Sequence, residues 1–271
     1  MTAVIAVGSV RHEKEILQLM RRVSSAKTDV GKRRKVNQDA YLVDNDLGLY
    51  IVADGMGGHA AGEVAAWETV EAVHDMVARN KKIIESFVLD PHRKENVNNL
   101  CRLLVSAVQS ATYMVFGMAE QSPDYHGMGT TISALLIVDE FAVTAQVGDT
   151  RIYCVRDGRE EQLTEDHTLI NWQIREGILT PEEAKYAPHK NVITRAVGNK
   201  DYVQVDTQVV SVKEGDRFLI CSDGLHGYLR GGEIPHLLES EPEDACEAFI
   251  HLANDRGGKD NITALVVEIH E

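Results

Sequence analysis

The segments AYLVD, LYIVA, TISALLIV, FAVTAQVG, RIYCVR, VQVDTQVV, RFLIC and ITALVVEI recur along the chain as short β-branched runs bounded by turn residues. Each reads as a strand. Two long helical stretches, at 62–79 and about 96–120, lie between strand pairs, and shorter helices are expected near 167–177 and at 242–255 after Pro242. DEF (from Asp139) and RDGRE (from Arg156) read as hairpin turns. Strands joined by hairpins run antiparallel, so the pattern implies antiparallel sheets with helices packed outside rather than alternating βαβ units. No linker-like stretch interrupts the middle, so one body fits better than two. Residues 12–22 place Ile16, Leu17, Leu19 and Met20 on a rough helical stripe, as an N-terminal appendage would.

Composition narrows the partners. A net charge of −14 repels nucleic acid unless one face is strongly basic, and the densest basic run is only GKRRK, Gly31 to Lys35. No apolar stretch is long enough to span a membrane, and the opening MTAVIAVGSV, with no basic residue ahead of it, makes a poor signal peptide. Cys101, Cys154, Cys221 and Cys246 lack CxxC spacing and sit in apolar surroundings, which reads as reduced core thiols. The cytoplasm is the expected address, with neither nucleic acid nor membrane as partner.

The glycine-rich stretch VADGMGGHAAGE lacks the Gly-Lys-Ser/Thr ending of a phosphate loop, and its spacing is wrong for a dinucleotide fingerprint. Its Asp-Gly recurs, however: LYIVA delivers Asp54-Gly55 and RFLICS delivers Asp223-Gly224, each at the end of a buried-looking strand. Asp157-Gly158 reads as a type I′ hairpin because a strand-like segment follows directly, whereas MGGHAAGE and LHGYLRGG follow the other two. Asp149 ends another strand, and Asp260 and Asp39 each precede one. Two carboxylates about 4 Å apart repel by ~4 kcal/mol at an effective dielectric near 20. Such aspartates are therefore either spread apart or share divalent metal. With no paired His or Cys nearby, all-oxygen ligation favours Mg²⁺ or Mn²⁺ over zinc.

The motifs TDVGKRRKVNQD, VADGMGGHAAGE, GMGTT, VGDTRIY, LTEDHT, NVITRAVG, FLICSDGL and KDNITALVV, in this order over residues 27–269, resemble the metal-dependent, type 2C serine/threonine protein phosphatases in their bacterial form. The resemblance implies an α+β fold: a central sandwich of two antiparallel β-sheets flanked by α-helices on both outer faces. It places the domain at 27–271, with a substrate-influencing flap at about 167–195, and leaves 1–26 as an extension packed on the body. It implies that Asp54 bridges two Mn²⁺ or Mg²⁺ ions, that the Gly55 carbonyl ligates one, and that Asp223 and Asp260 complete the other. Asp149 matches the position that holds a third ion together with Asp223. Arg34 matches the residue that grips substrate phosphate, with Arg33 as the alternative if the loop is offset by one. His59 matches the proton donor to the leaving oxygen. Gln38 stands where many members carry Glu, and with Asp39 and Asn261 it would support the metal site.

The chemistry suits these residue types. Two ions generate hydroxide from water at neutral pH, glycines let backbone approach them, and a planar arginine binds phosphoryl oxygens bidentately. No CxxxxxR motif is present, so the expected reaction is direct attack by metal-bridging water on phosphoserine or phosphothreonine, without a covalent intermediate. Phosphoproteins are the expected partners, a Ser/Thr kinase works in opposition, and a monomer is expected. Trp172 and Tyr186, in the flap, are either core or substrate contacts. The rival readings are a catalytically silent phosphoprotein-binding module, for which Gln38 is the one supporting feature, and a hydrolase of phosphodiesters or small phosphate esters.

Overall fold

The computed structural model describes residues 20–57, 61–184, 187 and 192–270. The chain begins with β1 (Arg21–Asp29), β2 (Asp39–Asp44) and β3 (Leu49–Met56), then α1 (Ala61–Arg79), α2 (Lys81–Leu89) and α3 (Lys94–Gln121). It continues through β4 (Gly129–Thr130), β5 (Ile132–Val138), β6 (Phe141–Val147), β7 (Arg151–Arg156) and β8 (Arg159–Gln162). Next come α4 (Leu169–Arg175), α5 (Pro181–Ala184), β9 (Asp206–Ser211) and β10 (Arg217–Cys221). The last elements are α6 (Asp223–His226), α7 (Glu233–Leu237), α8 (Pro242–Asp255) and β11 (Ile262–His270).

The strands form two antiparallel sheets, one in the order β1-β11-β10-β7-β8 and the other β2-β3-β5-β6-β9, with β4 added beside β3. Strand periodicity shows how they stack. In β3, Leu49, Ile51 and Ala53 face the core under α1 and α3, while Tyr50 and Val52 face the space between the sheets. In β11, Ile262, Ala264 and Val266 pack towards α8, while Leu265, Val267 and Ile269 point between the sheets. Both faces of these strands are covered, so they read as continuous apolar runs rather than alternating ones. The result is the expected four-layer α+β sandwich. Among the described residues α3 is long and apolar enough to cross a membrane by composition, but here its stripe from Leu100 to Ala119 is buried in the core.

Several details differ from the sequence reading. β1 pairs with β11 from Arg21↔His270 to Asp29↔Ile262, so a boundary at Lys27 cuts through a strand and residues 21–26 belong to the sheet. The helical stripe drawn over 12–22 thus ends in a strand at Arg21 and Arg22, and its residues before 20 lie outside the described residues. β1 was illegible because it is an edge strand of mostly half-buried Arg, Ser, Lys and Thr, without the apolar signature of a covered strand. α2 was also not anticipated; only Phe87 of its nine residues is fully buried. The Asp157-Gly158 hairpin is present, with φ of 52° and 71°, joining β7 to β8 as a two-residue turn requires. All four cysteines are free thiols.

Phe218 is fully buried between the sheets, whereas Val209 on edge strand β9 is 38% exposed. Phe218→Ala is expected to cost about 3–5 kcal/mol in urea unfolding, and Val209→Ala about 0.5 kcal/mol or less.

Candidate metal and phosphate site

Antiparallel pairing brings the ends of β3, β6 and β10 and the beginnings of β2 and β11 to one edge of the sandwich. Asp54 near the end of β3 lies directly opposite Asp39 at the start of β2. Asp54 shares the parity of Tyr50 and Val52, so both carboxylates are directed into the space between the sheets at its open end. Asp149 occupies the turn where the chain crosses from β6 in one sheet to β7 in the other. Asp223 opens α6 directly after β10, and Asp260 precedes β11. Neither Asp54-Gly55 nor Asp223-Gly224 is a hairpin turn: the first continues in β3 against β4, and the second begins a helix.

Asp54, Asp149, Asp223 and Asp260 line one cleft of about 380 Å³, with Arg34, Gln38, Gly55, Met56 and Asn261, while Asp39 lies behind it. A larger groove of about 930 Å³ lies between β8 and β9 but contains none of the clustered aspartates, so the smaller cleft is the candidate site. Arg34 donates from Nη2 to Asp260 Oδ2 at 2.8 Å. Arg33 does not line the cleft, so the loop register favours Arg34. His59 and Tyr186 lie outside the described residues. Trp172 is 44% exposed on α4, so the core alternative does not hold for it.

Glycines make the close approach possible. A Cβ on Gly55 would lie 2.0 Å from the Gly62 carbonyl oxygen, and one on Gly224 would lie 1.8 Å from that of Asn261. A side chain at Gly55 would push α1 away from the strand end that carries Asp54, and one at Gly224 would push α6 away from the turn that carries Asp260.

Hydrogen bonds fix the cluster from behind. Asp39 Oδ2 accepts from Ser222 Oγ at 2.8 Å and Thr263 Oγ1 at 2.6 Å, tying β2 of one sheet to β10 and β11 of the other. The Asp54 amide donates to Thr131 Oγ1 (2.9 Å), which contacts Thr150 Oγ1 (2.5 Å), beside Asp149. Asn261 Oδ1 accepts from the Gln38 amide, and its Nδ2 donates to the carbonyls of Val30 and Val36. The Gly55 amide donates to the Gln38 carbonyl. Gln38, Asp39 and Asn261 are thus tied into the backbone and side chains around the cleft.

Sequence reasoning missed Ser222, Thr263, Thr131 and Thr150, whose residue types carry no signal without tertiary partners. It also missed two histidines. His226 Nε2 lies 2.9 Å from the Asp149 carbonyl, and burial, helped by the Arg151 charge, pushes its pKa down to about 3; it is a neutral donor bracing the Asp149 turn against α6. His167 Nδ1 accepts from the Gly148 amide, and its Nε2 faces Asp206 at 3.1 Å. LTEDHT alone showed a histidine but not its partner.

Burial raises the carboxyl pKa of Asp39 and of Asp149 to about 7, the hydrogen bonds to Asp39 offsetting part of the rise. Asp54 is raised well above the ordinary value by burial and the charges of Asp39, Asp223, Asp149 and Asp260. Asp223 is raised by burial and then by Asp260. One oxygen of Asp39 and one of Asp223 are buried without a hydrogen-bond partner. Unsatisfied buried carboxylate oxygens facing like charges fit a hard divalent cation. Among the described residues no three His, Cys, Asp or Glu side chains already close on one point as a ligand set. Magnesium-type ions keep several waters and use one or two carboxylates each, so a more open donor set still suits them.

In the metal-free fold Asp149 keeps its proton up to about pH 7, against 3.8 for an ordinary Asp. The folded chain then binds more protons than the unfolded chain between these limits, and this group's contribution to stability is lost as pH rises through that window. In EDTA, Asp149→Asn should be more stable than wild type above pH 7, by on the order of 2–4 kcal/mol, with the two converging towards pH 4. Urea midpoints across pH check this, and a constant difference at all pH values would contradict it.

The protein phosphatase 2C family profile matches residues 31–264. Protein phosphatase PhpP of Streptococcus pneumoniae is 37% identical over 250 residues, covering 90% of this chain and 96% of that protein. The serine/threonine phosphatase stp of Listeria monocytogenes is 35% identical over 247 residues, covering 89% and 94%. The Mycobacterium tuberculosis serine/threonine phosphatase PstP/Ppp superposes with a TM-score of 0.81 at 32% identity, covering 93% of this chain and all of that one. A structure of the PstP catalytic domain in complex with two manganese ions gives 0.78 at 31% identity, with the same coverage.

Proposed function

The chain belongs to the protein phosphatase 2C family of serine/threonine phosphatases, and from that premise we propose how its cleft works. It removes phosphate from phosphoserine and phosphothreonine in proteins, by direct attack of water and without a covalent intermediate. The observation that carries the reading is the convergence of Asp54, Asp149, Asp223 and Asp260 beside Arg34 in one cleft.

Asp54, the Gly55 carbonyl, Asp223 and Asp260 are the proposed holders of two Mn²⁺ or Mg²⁺ ions, with Asp149 and Asp223 offering a third position. The manganese pair in the related PstP structure supports this assignment. Bound there, dications lower the pKa of water and stabilise charge on phosphoryl oxygens. The protein's own part is positional. Asp39, Asn261 and the Thr131–Thr150 pair hold the strand ends in place, so the carboxylates need no reorganisation when charge develops. Arg34 is held over the cleft by Asp260, and its pKa is raised, chiefly by that hydrogen bond, so it stays a full cation facing incoming phosphate. His59 is the proposed proton donor to the leaving serine or threonine oxygen.

The thiols argue against a covalent route. Burial pushes Cys154, Cys221 and Cys246 up to about 12 and raises Cys101, so none supplies a thiolate at neutral pH. The natural upstream partner for this chemistry is a Ser/Thr kinase.

Asp54→Asn should lower phosphothreonine-peptide turnover by at least 10³-fold while leaving the thermal unfolding cooperative. Arg34→Ala should raise KM for the peptide about tenfold or more, with a smaller change in kcat. Turnover of phosphothreonine peptide, phosphotyrosine peptide and a phosphodiester, each with Mn²⁺ and with EDTA, tests the substrate class. A phosphodiester preference, or activity that survives EDTA, would sink the reading.

A further inference from the structure

The chain is acidic overall, yet one edge of its acidic cleft is cationic. Lys32, Arg33, Arg34 and Lys35 follow one another, and Lys259 precedes the cleft residue Asp260. The two loops form one edge: the Lys32 amide donates to the Gly258 carbonyl at 2.7 Å, and Asn261 Nδ2 donates to the carbonyls of Val30 and Val36. A Cβ on Gly31, at φ +77°, would lie 2.2 Å from the Asp260 carbonyl oxygen, so the basic loop lies directly against the strand entry. This edge is scaffolded by backbone contacts.

Its charges are unequally engaged. Arg34 turns to Asp260 and the cleft. Arg33 and Lys35, their Cα atoms about 3.8 Å from that of Arg34 along the chain, are exposed, as is Lys259. Among the described residues none of the three has an ion pair. Lys32 makes a single long contact, 3.8 Å to the exposed Asp255. The nearby Asp29 makes no ion pair with them among the described residues; its Oδ1 accepts from the Gly31 amide and from Asn254. Of the exposed arginines elsewhere, Arg79 is matched with Asp75 and Arg93 with Glu95, while Arg21, Arg102, Arg159 and Arg230 stand apart from one another along the chain and have no ion pair among the described residues. Read blandly, the run is a solvated turn, but a solvated turn does not account for a second loop bringing Lys259 to the same edge.

We propose that Lys32, Arg33, Lys35 and Lys259 form a docking rim for acidic residues flanking the phosphorylated serine or threonine of the substrate protein. The inference rests on the phosphatase reading and deepens it by naming the sequence class of the substrate. A carboxylate-bearing flank pairs with the rim while the phosphate meets Arg34; a basic flank meets like charge there. Each exposed pair is weak by itself, so the selectivity comes from several acting together and weakens with salt.

The test compares phosphothreonine peptides that differ only in flanks, Asp-rich or Lys-rich, with p-nitrophenyl phosphate as a flankless control. Wild type is expected to favour the Asp-rich peptide by about tenfold or more in kcat/KM, mostly through KM, with the preference shrinking in 0.5 M NaCl. A Lys35→Glu/Lys259→Glu double variant should lose the preference and keep wild-type turnover of p-nitrophenyl phosphate. Equal wild-type kcat/KM on the two peptides, or a double variant that slows both peptides and the control alike, would overturn the rim. Failure of wild type to hydrolyse either peptide or the control would instead overturn the phosphatase reading itself.

Discussion

Mutual repulsion among carboxylates buried at one end of the sandwich is the constraint on which the rest of the site depends. Asp39, Asp54, Asp149 and Asp223 are each raised by burial, and Asp54 also by the other four members of the cluster, Asp260 included. A fold that gathers such groups without cations is less stable at neutral pH than one that spreads them. The same arrangement makes the end of the sandwich a strong attractor for divalent ions, and Arg34 over Asp260 gives it one fixed cation of its own.

Holding like charges together requires a stiff support, and the two sheets provide it jointly. Asp39 reaches from β2 to Ser222 and Thr263 on the opposite sheet, so the layers are joined where the repulsion is greatest. His226 ties α6 to the Asp149 turn. Gly55 and Gly224 let neighbouring backbone come within distances that no Cβ would tolerate. Strand ends anchored in this way move less than loops, and electrostatic stabilisation needs groups that do not have to reorganise.

The fold was largely legible because its inner strands are covered on both faces. LYIVA and ITALVVEI announce themselves by unbroken apolar character, and α1, α3 and α8 by length and periodicity. What escaped lies at the margins. β1 is a half-buried edge strand of polar residues, and α2 buries little beyond Phe87. In both, the burial that would have shaped a sequence pattern is weak.

By itself the sequence determined which groups are available: aspartates delivered at strand ends, glycines beside them, a basic loop, and an order of motifs that resembles one phosphatase family. It could do so because strand and turn signals are local, spanning a few residues each. Only the tertiary structure decided which of these groups meet. Arg34 rather than Arg33 faces the cleft, Asp39 bonds residues 183 and 224 positions away, and Lys259 joins the edge formed by Lys32 to Lys35. Those encounters depend on the stacking and register of two sheets, and no local run of residues encodes the position of a partner two hundred positions distant.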